Sequence, residues 1–206
     1  MKVLGALVAI IALSAMSASA AQATKFTSAN YPATATGSST ADVFDAFGST
    51  IQCTNNTFTS GSLAAASESL TVNASYKNCS AFGALPATVN MTTCDFLFTT
   101  SGKVHVKCTT AGDAIDVNIY ASKAAHEEGK APICIVKIPA QENLGTVTYT
   151  NSGSSVIVKG KVEGIKSTQT RNSFLCPAGT ETTTAKYTIQ EAGITMTGNN
   201  GAISVD

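Results

Sequence analysis

Residues 94–108 dictate their own pairing, and that pairing limits what the rest of the chain can build. Thr100-Ser101-Gly102 reads as a three-residue hairpin loop, with Gly102 in the left-handed position such a loop requires. This register sets Thr99 against Lys103, Phe98 against Val104, Leu97 against His105 and Phe96 against Val106. Asp95 then meets Lys107, and Cys94 meets Cys108. Cys94, Phe96, Phe98, Val104, Val106 and Cys108 fall on one face, while Asp95 and Lys107 form an opposite-charge pair on the other. Directly opposed cysteines suit a cross-strand disulfide at a non-hydrogen-bonded site. A slip of one residue would lose all of these agreements together.

The same period-two alternation recurs along the chain. Leu70, Val72, Ala74 and Tyr76 share one parity, as do Ile115, Val117 and Ile119. Cys134, Val136 and Ile138 share another, bounded by Pro132 and Pro139. Val156, Val158 and Val162 alternate with Lys159 and Lys161 around Gly160. Tyr187 and Ile189 lead to a turn expected at Glu191-Ala192-Gly193, after which Ile194 and Met196 resume. Antiparallel strands with one buried and one wet face give such patterns. The expected fold class is all-β, an antiparallel β-sandwich stapled by disulfides. One short helix is expected over Ser122–Glu128, closed by Gly129 as its C-cap. That segment, 122–130, divides a first β half at 24–121 from a second at 131–206. One large sandwich and two small packed domains both fit the pattern. Residues 21–41, rich in Ala, Thr and Ser, read as a flexible lead-in, and Asp42–Phe47 as one helical turn.

The N-terminus places the chain in the cell. Lys2, an apolar run from Val3 to about Leu13, and Ala18-Ser19-Ala20 have the layout of a signal peptide over residues 1–20. The apolar run is too short to span a bilayer. No Cys follows the cleavage site and no apolar tail ends the chain, so neither a transmembrane nor a lipid anchor is expected. The expected location is secreted or extracellular, with retention at the cell surface open. There the six cysteines meet oxidising conditions. No C-x-x-C pair or zinc-ligand spacing is present, so disulfides are expected rather than metal. With Cys94–Cys108 assigned, pairing by locality gives Cys53–Cys79 and Cys134–Cys176.

The chain is poor in groups that do chemistry. It carries 13 basic and 13 acidic side chains, with no basic cluster to hold nucleic acid. There are only two histidines. His105 is expected on the wet face of the 94–108 hairpin. His126 sits beside Glu127 and Glu128 in the short helix, without the second histidine of an H-E-x-x-H zinc pattern. No G-x-S-x-G elbow and no phosphate-binding glycine pattern occurs. No catalytic, cofactor-binding or metal-binding set is therefore expected. Asn55, Asn73, Asn78 and Asn90 begin N-x-S/T triplets, which a Thr-rich chain also yields by chance. Tyr76, Tyr149 and Tyr187 lie on inward parities and are expected to fill the core.

The stretch from Tyr76-Lys77-Asn78-Cys79 through Cys94-Asp95-Phe96 to Cys134-Ile135-Val136-Lys137-Ile138-Pro139-Ala140-Gln141 resembles small secreted bacterial proteins that are Thr-rich and Cys-paired. The resemblance implies export and a β-rich fold, and it brings no functional residues with it. The expected function is a non-enzymatic binding or structural module at or outside the cell envelope. Its partner would be an envelope or extracellular polysaccharide or a protein. The alternatives are a secreted hydrolase acting on polysaccharide, which needs two facing carboxylates, and a secreted protease inhibitor presenting a braced loop such as Thr168–Pro177.

Overall fold

The computed structural model describes residues 25–206, with the backbone alone at 190–192. The signal peptide expected at 1–20 and the start of the lead-in lie outside the described residues. The strands, in chain order, are β1 (Phe26–Ser28), β2 (Ala35–Ala46), β3 (Ser49–Ser60), β4 (Ser69–Ala81) and β5 (Leu85–Asn90). Then come β6 (Cys94–Thr99), β7 (Val104–Cys108) and β8 (Ala114–Ile119), followed by the helix α1 (Lys123–Glu127). The remainder are β9 (Cys134–Pro139), β10 (Gln141–Leu144), β11 (Thr146–Ser152), β12 (Ser155–Arg171), β13 (Glu181–Gly198) and β14 (Ile203–Val205).

The all-β class holds, but the architecture is a barrel and not a sandwich. Eight strands close in the order β4, β3, β2, β13, β12, β9, β8, β5. Closure comes from β5, which pairs with β8 on one side and with Cys79–Ala81 of β4 on the other. A sandwich and a barrel both give each strand one apolar and one polar face, so alternation alone does not separate them. The deciding strand, β5, is Leu-Pro-Ala-Thr-Val-Asn, whose alternation is too weak to announce it. Strands from both sides of α1 interleave in the one sheet, with β2 on β13 and β8 on β9.

The long strands outreach the closed ring. Residues Ser69–Val72 of β4 pair with β6, which carries β7 and then β10. Residues Ser155–Lys161 of β12 pair with β11. The β11 and β6–β7 edges meet where Val147 N–H donates to the Gly102 carbonyl at 2.9 Å and the Tyr149 hydroxyl donates to the Thr99 carbonyl at 2.8 Å. Polar residues such as Thr57, Thr59, Thr71, Asn73, Lys159 and Lys161 face outward and are exposed. That is the reverse of a lipid-facing barrel wall.

The 94–108 hairpin pairs in the register expected, from Cys94 with Cys108 to Phe98 with Val104. Gly102 has φ 80°. The Asp95–Lys107 ion pair does not form, although the two residues face each other. Lys107 turns to Glu142, which β10 brings alongside, and Asp95 accepts from the Asn73 amide at 2.9 Å. The helix is capped at Ser122, whose hydroxyl accepts from Ala125 N–H at 3.1 Å, and ends before Gly129 at φ 68°.

Three local expectations are corrected. The lead-in is not flexible up to residue 41: β1 lies within it, and residues 35–41 belong to β2. Asp42–Phe47 is no helical turn, because Asp42, Phe44 and Ala46 are strand residues pointing inward. Phe47 and Gly48, both at positive φ, make the two-residue turn into β3. Glu191-Ala192-Gly193 is no turn between strands either. It is a bulge inside β13, where the register with β2 jumps between Ile189 and Thr195.

That bulge belongs to a wider feature. The buried parity reverses partway along each long strand: Ser39 to Asp42 in β2, Cys53 to Asn56 in β3, and Ala74 to Cys79 in β4. It also reverses from Val162 to Ile165 in β12 and from Ile189 to Ile194 in β13. Asn55, Asn78 and Gly164, with φ of 59°, 50° and 75°, occupy three of these breaks. Asn tolerates the left-handed region better than most side chains, which suits it to a bulge. The barrel thus has a waist, where residues that regular strands would face outward are turned inward.

Candidate functional site

The waist encloses a cavity of about 70 Å³. Its wall is almost wholly hydrocarbon, including Phe44, Phe58, Phe96, Val104, Ile165 and Ile194. One side chain on it carries a formal charge, Asp42. The parity reversals deliver the polar group: Ser39 and Asp42 from β2 and Asn56 from β3 are buried together, at 6%, 2% and 0% exposure.

The geometry around Asp42 is lopsided. Oδ2 accepts from the Ser39 hydroxyl at 2.6 Å and from the Asn56 amide at 2.7 Å. The Asn56 amide also lies 3.2 Å from the Cys53 carbonyl, and its own oxygen accepts from Lys77 N–H at 3.4 Å. Oδ1 closes no hydrogen bond of regular geometry. The Tyr187 hydroxyl also donates toward the carboxyl, and itself accepts from the Tyr76 hydroxyl at 3.2 Å. A buried polar atom without a partner costs roughly 1–3 kcal/mol, so a native protein rarely leaves one idle.

Burial pushes the Asp42 carboxyl above its ordinary value of 3.8, against the lowering effect of Ser39, Tyr187 and Asn56. Burial also pushes the Tyr76 and Tyr187 hydroxyls up, so both stay protonated. Around them the rings interlock: Tyr187 stacks on Phe96 at 6.3 Å, and Tyr76 meets Phe58 edge-on at 6.2 Å. The core-filling expected of Tyr76, Tyr149 and Tyr187 describes where they sit, but Tyr76 and Tyr187 also line the cavity.

Three disulfides frame this interior. Cys53–Cys79 ties β3 to β4 beside the waist, Cys94–Cys108 closes the β6–β7 hairpin, and Cys134–Cys176 anchors the loop after β12 to β9. Cys53 itself lines the cavity. His105 lies on the outer face, accepting from Asn143 N–H at 3.4 Å, and His126 is exposed on α1 against the Tyr120 ring at 4.6 Å. Neither lines the cavity. Among the described residues, no cluster of His, Cys, Asp and Glu is arranged to hold a metal, and no helix is long and apolar enough to cross a membrane.

Sequence reasoning missed Asp42, Ser39 and Asn56. In Asp42-Val43-Phe44-Asp45-Ala46-Phe47 each parity holds one Asp and two apolar residues, so either face could turn inward. The structure buries Asp42 and leaves Asp45 outside, accepting from the Thr50 hydroxyl at 2.7 Å. Comparison with known protein families, curated proteins and solved structures found no match to this chain.

Proposed function

We propose that this chain is an exported binding module, working at or outside the cell envelope, and that the barrel interior is where it binds. The observation that carries this reading is the hydrocarbon-walled cavity at the waist of the barrel. A cavity lined by hydrocarbon with few convergent polar groups is the common form of a small-molecule site. The three disulfides are consistent with an oxidising, extracellular setting. The polysaccharide hydrolase reading needs two facing carboxylates, and this cavity has one.

The test is a thermal-shift screen of the natively processed protein against small apolar molecules, with native mass spectrometry of the freshly purified material. A ligand carried through purification, or a dose-dependent rise in Tm, supports the reading. A panel of compact apolar compounds that leaves Tm unchanged, together with an empty mass spectrum, overturns it.

A second reading rests on the loop after β12. Phe174 is 90% exposed and Leu175 47%, on a turn in which Cys176 N–H reaches the Ser173 carbonyl at 3.2 Å and the cysteine is bridged to β9. Exposed apolar residues on a braced turn suit insertion into a partner protein, including a protease. Inhibition of a protease panel that disappears in Phe174→Ala would favour it.

A further inference from the structure

A second hollow lies at the rim of the barrel, away from the waist. β13 pairs with β2 only as far as Lys186 opposite Asp45, yet it runs on to Glu181 along β12. There β2 turns away through Phe47 and Gly48, whose φ values are 54° and 71°. The parting leaves an open notch of about 310 Å³ between residues 45–50 and residues 182–186. Two small buried side chains, Ala46 and Ala185, line it and leave room that larger residues would fill. We propose that this notch is a carbohydrate-binding site, which takes one or two sugar units of a neutral polysaccharide. Its volume lies at the small end of the range of ligand sites, about 300–1,000 Å³. The proposal stands apart from the reading of the interior, which concerns apolar ligands.

The ligand class follows from what lines the notch. Asp45 and Lys186 are direct partners across the strand pair, and both line it. They do not pair with each other. Asp45 Oδ1 accepts from the Thr50 hydroxyl at 2.7 Å, and Lys186 Nζ reaches only to Glu163, at 4.0 Å. A carboxylate and an ammonium thus stand side by side with bonding capacity left over. Neighbouring hydroxyls on a sugar ring suit both, because each can donate to the carboxylate or accept from the ammonium. A simple anion or cation would meet one of the two charges as repulsion. The Thr182 and Thr184 hydroxyls, 3.2 Å apart, add partners of either sense on the β13 side. Phe47 supplies the one aromatic surface in the notch, suited to the C–H groups of a sugar. It is half-buried and braced by Gly179, where an added Cβ would come within 3.3 Å of its ring.

The test is a titration of cellobiose, maltose and N,N′-diacetylchitobiose, each at millimolar concentration, into the isotope-labelled, natively processed protein near neutral pH. Binding is read from NMR shifts of the backbone amides. At least one sugar is expected to give saturable shifts at residues 45–50 and 182–186 while leaving Val104 and Ile194 of the interior unmoved. Asp45→Ala and Lys186→Ala, with Tm as the check on folding, are each expected to weaken that binding about tenfold or more, the worth of a hydrogen bond to a charged group. Glycylglycine, a zwitterion that answers both charges but lacks a ring of hydroxyls, is the competing probe. Tighter binding of glycylglycine than of every sugar at these amides overturns the assignment to carbohydrate. No saturable shift there with any of the three sugars overturns it too, as do folded variants that bind like wild type. The wild-type titrations decide the matter even where a variant does not fold.

Discussion

The three disulfides close loops of different length, and that difference sets a graded series of losses. Sequence separations are 14 for Cys94–Cys108, 26 for Cys53–Cys79 and 42 for Cys134–Cys176. In the chain-entropy account a bridge acts mainly by restricting the unfolded chain. Applied to these loops it gives about 3, 3.5 and 4 kcal/mol respectively. A domain of ordinary stability has about 5–15 kcal/mol in all, so each bridge is a large part of the whole. Replacing each pair by alanines, one pair at a time, should therefore cost least at 94/108 and most at 134/176. The chain has no Trp, so tyrosine fluorescence and far-UV circular dichroism serve as probes in urea titrations. The slope of ΔG against urea should also rise in each variant, because an uncrosslinked chain unfolds to a more expanded state. Cys134, Cys176, Cys94, Cys53 and Cys79 are buried and Cys108 is half-buried, so lost sulfur packing adds least at 94/108 and keeps the same order. If the 94/108 pair proves the costliest, or all slopes stay unchanged, the loop-entropy argument is wrong for this protein.

Other expectations concern single positions. Asp42→Asn should gain stability over wild type as pH rises from about 4 to 7. The raised carboxyl contributes fully below its unfolded value of 3.8 and loses that contribution as pH climbs through the folded value. Parallel stability curves for the two proteins would refute this. Phe58→Ala, removing a side chain only 2% exposed at the waist, should cost about 3–5 kcal/mol in the same urea titration. Gly102→Ala should cost more than about 1 kcal/mol by thermal or urea melting, since φ is 80° and a Cβ would sit 2.5 Å from the Val147 carbonyl oxygen. Phe174→Ala, on an exposed turn, should change stability by no more than about 0.5 kcal/mol, measured by Tm.

What could be read from the residues was local. The 94–108 hairpin is specified by its own glycine, its apolar alternation and its opposed cysteines, all within fifteen positions of one another. Strands such as β8 and β9 announce themselves because Ile115, Val117, Ile119, Val136 and Ile138 face one way throughout. Closure was not legible, because it depends on the two partners of β5 and not on any pattern inside it. The waist was hidden for a sharper reason. Reading a strand by period two assumes that its phase persists, and the bulges at Asn55, Asn78 and 190–193 break that phase. The site lies where the phase breaks, so the rule that found the strands looked past Asp42 and Asn56.

The clasp between β1 and β14 has a kinetic meaning. Phe26 lies opposite Val205, and Lys25 and Asp206 exchange backbone hydrogen bonds of 2.9 and 3.0 Å. The second stave, β2, pairs with β3 on one side, but its other neighbour, β13, comes far later in the chain. Local pairs such as the β2–β3 hairpin need only near neighbours, whereas closing the barrel needs strands far apart in the sequence to meet. Assembly of this kind is a late, concerted event governed by distant encounters, which places the protein among slow folders.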